Sequence, residues 1–358
     1  LRHLALTPGW SLALAAAFVL SPACLLFEHY LFYTYPLALL VVLTALACSR
    51  FLQTSSRSAL AGFFSAFVLL MMTRALFHLG LLVLAAGLLV LLRPAVRKRI
   101  LVGLALALLV PAGWYAKNYA TFGFFGASSW LGMNLSLMIQ RVPQDDRDVL
   151  RRTADLSPLA FEPLFHKPEY YQQLLPPLPP TGVPALDRTA KPSGFPNANH
   201  RIYVRVGRLM LGDALRVIAA RPGIYLETVF TEVLPIYLAP AETWDFFDDR
   251  RAPLELYARL APLLLLPLYT IGLLSAVGWA IWGLGWLIRP IPVDARQGTL
   301  LFVSMLVLYV TAVAILVDLD ENMRYRFLVD PLLLALAATT LQRLWQRARG
   351  RTAPSAKT

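Results

Sequence analysis

Six ionisable side chains stand where long apolar runs end: Glu28, Arg74, His78, Lys117, Arg324 and Arg326. Such a group beside a membrane-length apolar run is costly unless it finds a partner, a ligand or water. A short stretch dense in charge runs from Asp318 to Pro331, DLDENMRYRFLVDP, where Arg324 and Arg326 alternate around Tyr325. A planar, forked guanidinium suits two phosphate oxygens at once. Arg74 and His78 interrupt LLMMTRALFHLGLLV at a spacing of four, which puts them on one helix face if a single helix runs through both. Lys117 directly follows an apolar run and is bracketed by Trp114, Tyr115 and Tyr119. These five cations read as phosphate contacts at a membrane surface. Glu28, in FEHYLFYTYP beside His29, is a carboxylate placed to take a proton. Each has a plainer explanation as well: snorkelling at a helix end, marking of the water line, ring anchoring around Lys117, or pairing of the late arginines with Asp320 or Glu321. Both explanations stay open at this stage.

The elements that must position these residues are hydrophobic. Of 358 residues, 58% are hydrophobic and 15% charged, against about a quarter charged in a water-soluble domain. The mean hydropathy is +0.58. An integral membrane protein is expected, all-α, with about eight transmembrane helices: residues 10–27, 36–48, 60–73, 76–92, 100–114, 260–288, 300–317 and 328–345. The net charge of +12 sits largely in short connections and the C-terminal tail, a topology signal and not a nucleic-acid footprint. Arg2, Arg50, Arg57, Arg93, Arg97 to Arg99, Arg289, Arg296 and a tail from Arg343 through Arg351 to Lys357 all fall on alternate connections. That side is assigned to the cytoplasm, with both ends of this chain there, in a plasma (inner) membrane. Cys24 and Cys48 lie in apolar runs and read as small hydrophobes.

Four regions follow: N-terminal transmembrane helices to residue 114, an extracytoplasmic helix-and-loop domain over 115–259, C-terminal transmembrane helices over 260–345, and a basic tail over 346–358. Within the domain, residues 143–196 are rich in proline, with PPLPP at 176–180, and are expected to form an irregular loop or mobile lid. Asn197 to Arg221 reads as an amphipathic basic helix, capped by Asn197 or Asn199, with Arg201, Arg205, Arg208 and Arg216 on one side and Ile202, Val206, Leu209, Met210 and Val217 on the other. It either lies flat on lipid headgroups or packs in the domain with a solvated basic face.

Familiar catalytic signatures are missing: there is no P-loop, no GxSxG elbow, no HExxH and no paired CxxC. The acidic pairs Asp145 with Asp146 and Asp248 with Asp249 leave a divalent cation open as the one cofactor. Asn134-Leu135-Ser136 is a formal glycosylation sequon.

The layout resembles that of the polytopic GT-C glycosyltransferases, the class containing protein O-mannosyltransferases and aminoarabinose transferases of lipid A. FEHYLFYTYPLALL resembles the family's second external loop, with Tyr35 where an acidic residue is usual. GFFSAFVLLMMTRALFHL resembles its Thr-Arg hairpin, VPAGWYAKNYATFGFF its aromatic exit into the external domain, and ENMRYRFLVDPLL its late Arg-aromatic-Arg and Pro element. The resemblance implies transfer of a sugar from a polyprenyl-phosphate donor to a glycan, lipid or protein acceptor on the extracytoplasmic face. Arg74, His78, Lys117, Arg324 and Arg326 would hold the donor phosphate. It further implies that this chain starts near the family's third helix. The family's acidic base would then precede the chain, leaving Glu28 first in line within it. Other readings are a transporter or flippase of lipid-linked sugars, an O-antigen ligase-like or polymerase-like transferase, and a non-catalytic subunit.

Overall fold

A computed structural model of the chain describes residues 4, 6–29, 33–239, 251–319 and 322–352, without the side chains of 29, 251–255, 258 and 350–352. Among these residues every regular element is helical, and the one extended pairing is an isolated bridge between Ala190 and Pro196. The chain falls into two units: residues 1–112 with 238–312 and 323–358, and residues 113–237 with 313–322.

The first unit opens with helices α1 (Pro8–Val19) and α2 (Pro22–His29), bent by 56° at a break. Pro22 cannot donate into the preceding turn, and Ser21 bridges the gap, its hydroxyl donating to Phe18 O at 2.7 Å and accepting from Cys24 N at 3.1 Å. Helices α3 (Thr34–Thr54) and α4 (Arg57–Thr73) follow, joined by Ser55 in the left-handed conformation (φ 50°) and by Ser56, whose hydroxyl caps α4 at Ala59 N. Then come α5 (Leu79–Leu92) and α6 (Arg97–Phe122), whose residues from Gly113 on belong to the second unit.

The second unit holds α7 (Leu131–Ile139), α8 (Gln144–Thr153), α9 (Pro168–Leu174), α10 (Pro184–Asp187), α11 (Ile202–Ala220), α12 (Pro222–Thr228) and α13 (Leu234–Leu238). The proline-rich stretch is therefore not a plain loop. Prolines sit in the first turn of α9 and of α10, where the missing N–H costs nothing, and Leu159, Tyr171 and Leu175 share a core with Ile202, Val206 and Met210. Helix α11 is the centre of this unit. Its apolar side is enclosed by protein, which is the domain-helix alternative and not a helix resting on headgroups. Asn197 does not cap it: its side-chain amide donates to the Ala185 and Arg188 carbonyls, and α11 starts after Arg201 without a side-chain cap. A Cβ on Gly132 would land on the Gly207 carbonyl oxygen, so α7 and α11 cross backbone to backbone.

The chain returns to the first unit in α14 (Arg251–Ile288), α15 (Ala295–Val317), α16 (Asn322–Phe327) and α17 (Asp330–Thr352). A capping box starts α15: Asp294 Oδ1 accepts from Gln297 N at 2.7 Å and Gln297 Oε1 accepts from Asp294 N at 3.0 Å. Helices α14 and α17 meet where Gly272 faces the Leu333 backbone, with Thr340 donating to Ser275 at 2.9 Å nearby.

Among the described residues four helical segments are long and apolar enough to cross a membrane, Thr34–Thr54, Pro94–Phe122, Arg259–Ile288 and Ala295–Val317, and the bent α1–α2 pair makes a fifth if it is one span. The remaining expected spans depart from that pattern for separate reasons. Helices α4 and α5 have 17 and 14 residues, about 26 and 21 Å at 1.5 Å per residue, because the chain breaks between them. In α17 the run Arg343, Arg347 and Arg349 lies inside the helix itself.

Candidate functional site

The first unit places one forecast cation between two rings. Arg74 ends α4 with an extended backbone (φ −141°, ψ 129°), while His78 caps α5 through its own side chain. No helix runs through both, so the shared face expected from their spacing is absent. The turn instead turns Arg74 toward α16. Its guanidinium carbon lies 4.9 Å from the Tyr33 ring centroid and 4.8 Å from that of Tyr325, and its Nη2 donates to Tyr325 Oη at 2.6 Å. Aromatic faces attract a guanidinium without neutralising it. Arg74 is half-exposed, and among the described residues no carboxylate pairs with it. His78 is exposed.

Helix α16 explains why neighbouring residues of ENMRYRF have different roles. Successive side chains on a helix fan out by about 100°, so Arg324, Tyr325, Arg326 and Phe327 leave it in four directions. Phe327 is fully buried among Phe18, Phe27 and Tyr35, with centroids at 5.6, 4.7 and 6.4 Å. Tyr325 goes to Arg74. Arg324 is buried, at 8% exposed. Arg326 is 1% exposed, donates to Asp330 Oδ1 at 3.1 Å and to the Ala239 carbonyl at 2.7 Å, and stands 4.5 Å over the Tyr269 ring. Tyr269 in turn donates to Asp330 Oδ2 at 3.0 Å. The sequence offered Asp320 or Glu321 as partners of these arginines; both lie outside the described residues. The partner that emerges is Asp330, four residues on. The space beside Arg326, lined by Pro22, Ala23, Pro262 and Tyr269, is about 10 Å³, room for one water and too small for a phosphate. In this conformation Arg326 joins α14, α16 and α17.

Glu28 is exposed at the end of α2, within electrostatic reach of Cys24 and Tyr35. The side chain of His29 lies outside the described residues. Lys117 belongs to the second unit. It is exposed on α6 with its Nζ 3.6 Å over the Trp114 ring, and Asn118 beside it is buried, donating to Gly126 O at 2.6 Å.

Among the described residues no three His, Cys, Asp or Glu side chains gather as metal ligands. Asp146 is ion-paired with Arg221 at 2.9 Å, while Asp248 and Asp249 lie outside the described residues. Sequence reasoning missed Tyr33 and Tyr269, and noted Tyr325 without giving it a role. The available signal was an aromatic residue set between two arginines, a common way to orient guanidinium groups. No protein-family model matches this chain, and neither the curated proteins nor the solved structures include a significant match to it.

Proposed function

We propose that this chain is a multi-pass membrane glycosyltransferase that takes a sugar from a polyprenyl-phosphate donor on the extracytoplasmic face. The observation that carries the reading is Arg74, held between Tyr33 and Tyr325 at the end of an apolar helix and left without a carboxylate partner among the described residues. A fixed cation at such a place is suited to a lipid phosphate. The acceptor hydroxyl bonds to the anomeric carbon of the sugar and loses its proton to the Glu28 carboxylate. The bond between that carbon and the phosphate oxygen breaks, and its electron pair stays on the phosphate. The charge that develops there faces Arg74. His78 lies four residues from this cation in sequence, Arg324 precedes its partner Tyr325 in α16, and Arg326 positions α16 through Asp330.

A second reading, a flippase of lipid-linked sugars, draws on the bend between α1 and α2, since broken helices are frequent in transporters. Proteoliposomes carrying a fluorescent polyprenyl-phosphate sugar separate the two. The transferase reading expects free polyprenyl phosphate to accumulate when an acceptor extract is added, and Glu28→Gln to slow its release. Label crossing the bilayer with no free polyprenyl phosphate would replace it by the flippase.

A further inference from the structure

We propose that the second unit contains a separate binding site for a lipid-borne phosphate, in the cleft along the N-terminal half of α11. The cleft has a volume of about 670 Å³, within the range of small-molecule sites and larger than one phosphate group needs. Arg201, Arg205 and Arg208 line one side. Their spacing of four and three residues stacks them on one face over the first two turns of α11.

The charge of these arginines is not cancelled by their protein partners. Arg201 donates to the Pro179 carbonyl and Arg205 to the Pro176 carbonyl at 2.9 Å, both neutral acceptors that fix the guanidinium groups in place. Arg208 is exposed and makes no hydrogen bond or ion pair among the described residues. One carboxylate is near: Asp187 lies within electrostatic reach of Arg201. It is already taken by Thr181 N, Thr181 Oγ1 and Gly182 N, which hold its carboxyl below the usual carboxylate range. Three cations face one occupied anion, so the cleft attracts a phosphate.

The other wall identifies the source of that phosphate. It is apolar, with Phe122, Leu178 and Val183, and a free phosphate would gain nothing from it. Phe122 is the last residue of α6, and Pro94–Phe122 is long and apolar enough to cross a membrane. The apolar lip therefore lies at the end of a helix long and apolar enough to cross a membrane, within reach of a lipid chain beside it. A lipid whose headgroup enters among the arginines keeps its chain against Phe122. Lys117, 6.0 Å from the Phe122 ring centroid, adds a cation at this lip. Burial of chain methylenes and charge-assisted hydrogen bonds then act on one ligand. The site is independent of the transfer reaction proposed for the first unit.

The test uses the purified full-length chain in detergent, titrated with dioleoyl phosphatidic acid, dioleoyl phosphatidylcholine or inorganic phosphate, with bound lipid counted by native mass spectrometry. Each titration is also run in an Arg74→Gln background, so that lipid held in the first unit does not mask a loss in the second. Phosphatidic acid should bind at least about tenfold more weakly when Arg201, Arg205 and Arg208 are all changed to Gln. Arg208→Gln alone should weaken it by roughly threefold and Arg208→Lys by less. Arg152→Gln, on the exposed side of α8, should change nothing. Since Arg208 makes no hydrogen bond or ion pair among the described residues, its single variant reads the site even if the triple variant misfolds. Equal retention of phosphatidic acid by the parent and Arg208→Gln overturns the site. Displacement of phosphatidic acid by inorganic phosphate at equal concentration overturns the lipid source.

Discussion

Arg326 and Asp330 stand 3.1 Å apart, four residues from each other, and both are buried. Tyr269 closes the set from α14, so one carboxylate receives two donors from two other helices. A buried ion pair of this kind gives little net stability, yet removing one partner strands the other's charge. Arg326→Met and Asp330→Leu are each expected to cost about 3–5 kcal/mol of stability, and the double variant clearly less than the sum. Thermal unfolding of the detergent-solubilised protein reads all three.

The crossing of α7 and α11 predicts a second, local effect. Gly132→Ala and Gly207→Ala each put a methyl against facing backbone, which cannot swing away as a side chain can. A loss of about 1–3 kcal/mol is expected from each, visible as faster proteolysis between residues 113 and 237. Gly223→Ala, whose Cβ would meet nothing within 4 Å, is the control and should be neutral.

Acid should loosen the second unit through His200. This side chain is buried, its Nδ1 accepts from Ile202 N at 3.1 Å, and burial pushes its pKa below the ordinary 6.5 despite nearby Asp187 and Glu169, while Arg201 acts in the same direction as burial. The unfolded chain therefore takes the proton first. Stability from this group is present above 6.5 and is lost as pH falls through 6.5 toward the lower folded-state value. Glu169 and Asp187 are held below the carboxylate range, by the Thr189 side chain and by the Thr181 backbone respectively, so their contribution is lost only at lower pH still. Melting curves of the parent between pH 7.5 and 5, about the range where histidine titrates, should fall more steeply than those of His200→Asn. Parallel curves would remove His200 from the account.

At the base end of the scale, Tyr170 donates to Glu162, and this bond raises its pKa to about 12. Its neutral form is favoured in the folded state, so the stability it gives is complete below 10 and is lost as pH rises from 10 to about 12. Tyr170→Phe should flatten alkaline unfolding over that interval while lowering stability at neutral pH by about 1 kcal/mol.

The helical class and the placing of ionisable groups at helix ends were legible from hydropathy alone, because apolar runs and charged breaks are local properties. The partners were not. Arg74 stands 251 positions from Tyr325, and no spacing rule links them. The pair Arg324 and Arg326 looked equivalent when read along an extended strand of residues, but α16 winds that stretch and sends Arg326 inward to Asp330. The proline-rich segment read as loop because prolines punctuate it, yet Pro168 and Pro184 start short helices and the Pro176 and Pro179 carbonyls accept from α11 arginines. The amphipathic pattern of α11 was correct, while what covers its apolar side is a tertiary matter that periodicity does not encode.

The geometry at Arg74 predicts a graded response. Tyr325→Phe keeps the ring but removes the oxygen that accepts from Nη2, so the guanidinium is less firmly aimed. Affinity for a lipid phosphate should fall by a few-fold, about 0.5–1.5 kcal/mol, and Tyr325→Leu, which also removes the ring, should cost more. Equal losses from the two would mean that the ring face contributes nothing.

The most direct test is equilibrium binding of polyprenyl phosphate to the purified chain, parent against Arg74→Gln, with Arg201, Arg205 and Arg208 already replaced by Gln so that only the first unit can respond. Affinity lower by about tenfold or more, with Arg74→Lys in between, is the expected result. Identical binding by the parent and Arg74→Gln would contradict the assignment of Arg74 as the cation that receives a lipid phosphate.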